Sequence, residues 1–149
     1  METQLKFEKL SLRDVKQVHN IIEKYSRKGF MLYRTREKIA QNSRDYFICK
    51  KKNKVIGCTG LKIWDEKSAE IYALAVDEKY INHGIGTKLI KECIKEAKKI
   101  GVRFIFTLTF KKNLFMNLGF KKINIDNLPK VVFTEKTIDE QKAYGMRLK

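Results

Sequence analysis

The sequence predicts an α/β fold of the α+β kind: antiparallel strands come first, a βαβ unit follows, and a tail closes the chain. Three observations carry this. The period changes from Asp45 onward, with two strands on either side of a polar turn up to Trp64; Glu70–Val76 is a nearly unbroken apolar run, and a loop, helix and strand follow it. Tyr46-Phe47-Ile48-Cys49, a turn at Lys52-Asn53-Lys54, and Val55 to Trp64 form a hairpin, and Asp65-Glu66-Lys67-Ser68 makes the next turn. The run from Glu70 to Val76 reads as a strand buried on both faces, so its one charged residue, Glu70, needs a reason to be there.

Upstream, Ser11-Leu12-Arg13-Asp14 reads as a capping box, and Val15, Val18, Ile22 and Tyr25 continue one helical face, predicting a first helix over 12–25. Thr35 before Arg36-Glu37-Lys38-Ile39 predicts a second, short helix. After the polar stretch Asp77 to His83 and Gly84-Ile85-Gly86, the residues Leu89, Ile90, Cys93, Ile94 and Ala97 give a helix that Gly101 ends. Phe104 to Leu108 is the next strand, a short helix lies near Asn113 to Asn117, and Gly119-Phe120 turns into Lys121-Lys122-Ile123.

A chain of 149 residues with 43% apolar residues builds one core without staples, and no repeat or flexible linker marks a boundary, so one domain over 1–149 is expected. No apolar run reaches the roughly 20 residues of a membrane span, and the N-terminus lacks a signal peptide's apolar segment, so no membrane partner and a cytoplasmic location are expected. Cys49, Cys58 and Cys93 form no CxxC pair and only His19 and His83 are present, which speaks against a metal site and against histidine-activated nucleophiles. Thirty-three Lys and Arg against 17 Asp and Glu give +16, which favours anionic partners. The basic residues are scattered, so nucleic acid is disfavoured as the partner.

A strand feeding a glycine-containing loop and a helix start makes an anion site, because free N–H groups and the helix dipole point at the ligand. The P-loop pattern fails, with Ile81 where its first glycine belongs and Thr87 before Lys88; the dinucleotide pattern fails because Leu89 stands at its third glycine.

Ile81-Asn82-His83-Gly84-Ile85-Gly86 after the central strand, with "LAV" before it and "NLGF" later, resembles the signature of the GCN5-related N-acetyltransferases. The resemblance covers nearly the whole chain. It implies a mixed, mainly antiparallel central sheet flanked by helices, and acetyl-CoA as cosubstrate with no metal. It places Leu74, Ala75 and Val76 against the pantetheine arm, with a backbone N–H near Val76 polarising the thioester carbonyl. Ile81, Asn82, His83, Gly84, Ile85, Gly86 and Thr87 then receive the pyrophosphate, with Phe115 also on the coenzyme. Two departures from the pattern are visible. Ile81 replaces an arginine or glutamine, leaving the backbone more of the binding, and Phe115 replaces the tyrosine that protonates the departing thiolate, a role left to Tyr144 or water.

Leu32-Tyr33-Arg34-Thr35-Arg36-Glu37, Ala69-Glu70-Ile71, Leu108-Thr109, Phe115 and Asn127-Leu128-Pro129 are similar to the acetyltransferase domain of N-acetylglutamate synthases. That likeness implies Arg34 and Arg36, with Tyr72 and Thr109, on the acceptor, and Glu70 as the base that takes the amine's proton, directly or through water. On the residues alone, Arg34 and Arg36 are equally first-turn residues of a surface helix, and Glu70 an exposed strand end paired with a lysine. The leading expectation is acetyl transfer to the α-amine of an amino acid such as L-glutamate, by direct attack. A peptide or protein N-acetyltransferase, or a non-enzymatic module binding acyl-CoA or nucleic acid, stands as the alternative. A homodimer is allowed.

Overall fold

The computed structural model describes residues 4–149. In chain order the elements are β1 (Leu5–Lys9), α1 (Val15–Arg27), α2 (Arg36–Gln41), β2 (Tyr46–Lys51), β3 (Lys54–Ile63) and β4 (Ser68–Val76). They continue as α3 (Ile85–Ile100), β5 (Phe104–Leu108), α4 (Lys112–Met116), β6 (Lys121–Lys122), α5 (Val132–Glu135) and β7 (Ala143–Arg147). The strands form one seven-stranded sheet in the order β1-β2-β3-β4-β5-β7-β6. β4 and β5 run parallel, whereas β1–β2, β2–β3, β5–β7 and β6–β7 are antiparallel. This is the mixed, mainly antiparallel sheet with a βαβ unit that the sequence predicts.

The residues gather into two compact units. One comprises residues 4–60 together with Ala73–Glu92; the other comprises Leu61–Tyr72 and Cys93–Lys149. In the first unit, α1 buries Val15, Val18, Ile21 and Ile22. Its Gln17 side chain closes on the hairpin turn, accepting from the Val55 amide (2.8 Å) and donating to the Asn53 carbonyl (3.2 Å). Lys52, at the turn of that hairpin, is left-handed at φ 56°. Helix α3 docks where β3 has no side chain: a Cβ on Gly57 would lie 3.0 Å from Ile85 and 3.2 Å from Leu89.

In the second unit, Phe106, Leu128 and Val132 form a buried cluster joined by Trp64, Phe104, Ile123, Ile125 and Ile138. That cluster fixes α5 and the irregular chain around it, because Val132 is fully buried and cannot leave without exposing apolar surface.

Two local expectations change. The first helix starts later and ends later, at Val15–Arg27 behind a single 3-10 turn (Leu12–Asp14), and the capping box does not form. Ser11 makes no side-chain cap; its carbonyl accepts from the Asp14 amide (2.9 Å), and the Asp14 carboxylate is buried against Lys50 at 2.9 Å. The Lys50 ammonium draws Oδ1 away from the helix start, and Oδ2 is left buried without a hydrogen-bond partner among the described residues. Thr35, by contrast, caps α2 as expected, accepting from Lys38 N at 3.0 Å.

Gly57→Ala is expected to lower the unfolding free energy by roughly 1–3 kcal/mol, because the added methyl must displace Ile85 and Leu89 at the base of α3. A urea titration that left the wild-type midpoint unchanged would contradict this docking.

Candidate active site

The loop after β4 is built by the end of one strand and the start of one helix, both in the first unit. β4 pairs with β5 in register from Ser68↔Phe104 to Ile71↔Thr107, then runs on to Val76. Between these stretches Ala73 takes a left-handed backbone, φ 53°, which an alanine adopts only where the surroundings hold it. The Cys58 thiol points at the Ala73 carbonyl (3.5 Å), and Asp77 N donates to the Ile56 carbonyl at 2.8 Å. Leu74, Ala75 and Val76 are buried.

Beyond a 3-10 turn at Glu78–Tyr80, Ile81, Asn82, His83 and Gly84 are exposed, with Asn82 at φ 70° and Gly84 at φ 78°. A side chain at Gly84 would meet nothing within 4 Å but would be strained by that φ. The Gly84 carbonyl takes the first helical bond, from Lys88 N at 3.1 Å. The amides of Ile85, Gly86 and Thr87 are therefore the ones a helix start leaves unpaired, and they open onto the exposed turn. Exposed loop, positive-φ glycine and free amides together fit a phosphate-bearing ligand. His83 lies 6.3 Å, ring to ring, from Tyr80.

Glu70 sits in the second unit and is 2% exposed, so the reading of an exposed strand end is wrong; the lysine partner is right. Lys136 Nζ lies 2.8 Å from both carboxylate oxygens, and Trp64 Nε1 donates to Oε1 at 3.0 Å. Oε1 therefore takes two donors and Oε2 one, so Oε2 is the oxygen with capacity to accept a further proton. Trp64 also carries Lys62 at 4.0 Å and Lys136 at 5.6 Å from its ring centroid, and Lys62 reaches Glu135 at 3.4 Å. The carboxylate, indole and two ammonium groups form one connected cluster.

The remaining expected residues divide. Arg34 is half-buried and donates to the Leu32 carbonyl (3.1 Å), and Arg36 is exposed as the first residue of α2. His19, on α1, bonds the Tyr33 hydroxyl at 3.1 Å. Tyr72 is half-buried. Thr109 closes a turn, accepting from Lys111 N at 2.8 Å. Phe115 is a core residue, edge-on to Phe120 at 5.1 Å and 1% exposed. Tyr144 is buried, with Lys122 over its ring at 5.2 Å. The three cysteines are buried, and burial pushes the Cys49 thiol up to about 11 against the opposing pull of Lys88, so it is no nucleophile near neutral pH. Among the described residues no group of three or more His, Cys, Asp or Glu side chains is placed to hold a metal ion, and no helix is long and apolar enough to cross a membrane.

Sequence reasoning missed Lys136, 66 residues from Glu70 and in no regular element, and Tyr25, whose hydroxyl donates to the Val76 carbonyl at the start of the exposed loop. Neither position carries a local pattern; the charged residue inside an apolar strand was the one clue that a distant cation was needed.

The profile of the acetyltransferase (GNAT) family matches residues 15–120, and the chain belongs to that family. It is 34% identical over 126 residues to an uncharacterized N-acetyltransferase of Chlorobaculum tepidum, covering 85% of this chain and 81% of the relative. It is 27% identical over 121 residues to the amino-acid acetyltransferase of Vibrio cholerae, covering 80% of this chain; it spans only 27% of that relative's length. Among solved structures, N-acetylglutamate synthase from Neisseria gonorrhoeae, complexed with coenzyme A and N-acetyl-glutamate, superposes with TM-score 0.88 at 22% identity. That match covers 100% of this chain and 36% of the other. A Mycobacterium tuberculosis protein in complex with CoA gives TM-score 0.84 at 20% identity, covering 96% and 99%.

Removing Lys136 strands a buried carboxylate. Lys136→Met is expected to destabilise the fold by about 3–5 kcal/mol, and Glu70→Gln combined with it to recover most of that loss. Additive losses in denaturant titrations of the single and double variants would show that the two side chains do not act as a pair.

Proposed function

We propose that the protein transfers the acetyl group of acetyl-CoA to the α-amine of an amino acid, L-glutamate being the acceptor the reading favours. The observation that carries the coenzyme is the exposed loop with Gly84 at φ 78° running into the unpaired amides of Ile85–Thr87. Coenzyme A presents a pyrophosphate, the group such a helix start recognises, and two structures that share this fold hold CoA. Ile81 contributes no side-chain donor, so the amides carry that contact.

In this reading Leu74–Val76 run beside the pantetheine arm. The family resemblance assigns a backbone N–H near Val76 to the thioester oxygen, as a donor for the charge that builds on it. The acceptor's amine attacks the acetyl carbon, the C–N bond forms, the C–S bond breaks, and coenzyme A leaves as thiolate. An α-ammonium loses its proton near pH about 8, so the attack needs a base. Glu70 Oε2 takes that proton, through a water where the amine does not reach it. Its remaining donors, Trp64 and Lys136, hold the carboxylate in one orientation. The nitrogen sheds its second proton as the amide forms, and Tyr144 or water passes that proton to the thiolate, while Tyr72 and Thr109 would contact the acceptor.

Arg34 and Arg36 would bind the acceptor's carboxylates, a planar guanidinium matching a carboxylate in two-point fashion. An amino acid is favoured by the likeness to the amino-acid acetyltransferase of Vibrio cholerae. A peptide N-terminus is the second reading, favoured by the exposed apolar side chains of Phe30, Leu32 and Tyr33 beside Arg34.

Thiol release from acetyl-CoA, followed across amino acids and short peptides, tests the proposal; turnover is expected with L-glutamate, and no turnover with any amine would end the enzyme reading. Glu70→Gln is expected to lower kcat on the order of a hundredfold or more. A variant retaining wild-type kcat would remove Glu70 as the base.

A further inference from the structure

Ile81–Gly84 of the coenzyme loop are exposed, and both ends of the loop are anchored. Its far end is α3, seated through Ile85 on Gly57. Its near end is the peptide between Val76 and Asp77. Both sides of that peptide are engaged: the Tyr25 hydroxyl donates to the Val76 carbonyl, and Asp77 N donates to the Ile56 carbonyl at 2.8 Å. One residue further on, Glu78 is bonded by Lys28, which follows directly on the last turn of α1. Asp77 is turned inward on its own loop, accepting from Lys79 N at 3.0 Å, with Lys54 at 3.9 Å.

We propose that Tyr25 and Lys28 are positioning residues for the coenzyme, a latch from α1 that fixes the strand-to-loop junction and so aims the loop's amides at the pyrophosphate. The inference rests on the coenzyme reading above. Three consecutive residues, Val76, Asp77 and Glu78, are tied down where β4 ends, and the ties from Tyr25 and Lys28 go to a backbone carbonyl and a side chain at that junction. The phenol suits the task. Burial, then the charges of Glu78 and Asp77, push its proton loss above the ordinary value, so it remains a hydrogen-bond donor throughout the working pH range. Lys28 also lies 6.0 Å from the Tyr25 ring centroid, which ties the two parts of the latch together. Neither side chain needs to touch the ligand; each fixes the backbone that does.

The test compares two ligands that differ in the group the loop serves. Coenzyme A carries the pyrophosphate and nucleotide; pantetheine has the same thiol arm without them. By calorimetry, Tyr25→Phe is expected to weaken coenzyme A about tenfold, the loss of one hydrogen bond, while pantetheine, measured by competition, binds as to the wild type. Glu78→Gln, at an exposed site that leaves packing alone, is expected to shift coenzyme A in the same direction by a smaller factor that vanishes at high salt. Equal weakening of both ligands by Tyr25→Phe would mean a general loss of packing and would overturn the proposal. Unchanged coenzyme A affinity would overturn it as well. Failure of the wild-type chain to bind coenzyme A would remove the reading on which the latch rests, and the latch with it.

Discussion

Strand β4 must satisfy the backbone groups of nine residues, and the architecture of the site follows from its use of several kinds of partner. From Ser68 to Ile71 it pairs with β5. At the last of these, Thr107 Oγ1 adds a bond to the Ile71 carbonyl at 2.9 Å. From the left-handed Ala73 onward, side chains add to the strand's neighbours: a cysteine thiol on one carbonyl and a tyrosine hydroxyl on another. β3 flanks the strand on its other side, and the backbone contact to β3 continues past its end, with Asp77 N donating to the Ile56 carbonyl at 2.8 Å.

The same strand carries the one carboxylate in its apolar run, and burial dictates what surrounds it. A carboxylate at 2% exposure is tolerated only with strong donors, and Lys136 and Trp64 supply them. That requirement reaches far along the chain. Lys136 is the residue that closes α5, and α5 is held by Val132 in the cluster with Phe106 and Leu128. The packing of a short, otherwise unremarkable helix thus determines where an ammonium meets Glu70.

Most of the fold was legible because its elements follow strong periodicities. The apolar run of β4, the inward face of α3 and the cap at Thr35 each depend on neighbours within a turn or two, and all three form as read. β1 escaped because Leu5-Lys6-Phe7-Glu8-Lys9 is a short strand whose alternation is weak next to its charge, and β7 because Ala143–Arg147 has a glycine and no alternation. The capping box at Ser11 failed for a reason invisible locally: Lys50, on another strand, takes the Asp14 carboxylate. Of the site, the glycine-bearing loop could be seen in the letters, since its chemistry is that of a backbone. The partners of Glu70 and of the Val76 carbonyl could not, since they lie 66 and 51 residues away along the chain.

Trp64 is the single tryptophan of the chain. Its indole N–H is bonded to Glu70, and the Lys136 ammonium that binds Glu70 lies over its ring as well. Any event that draws Lys136 away from the carboxylate, or moves a proton onto it, changes both the hydrogen bond and the cationic field felt by one fluorophore. The protein therefore contains a built-in optical gauge of the Glu70–Lys136 pair, with no second indole to dilute the signal.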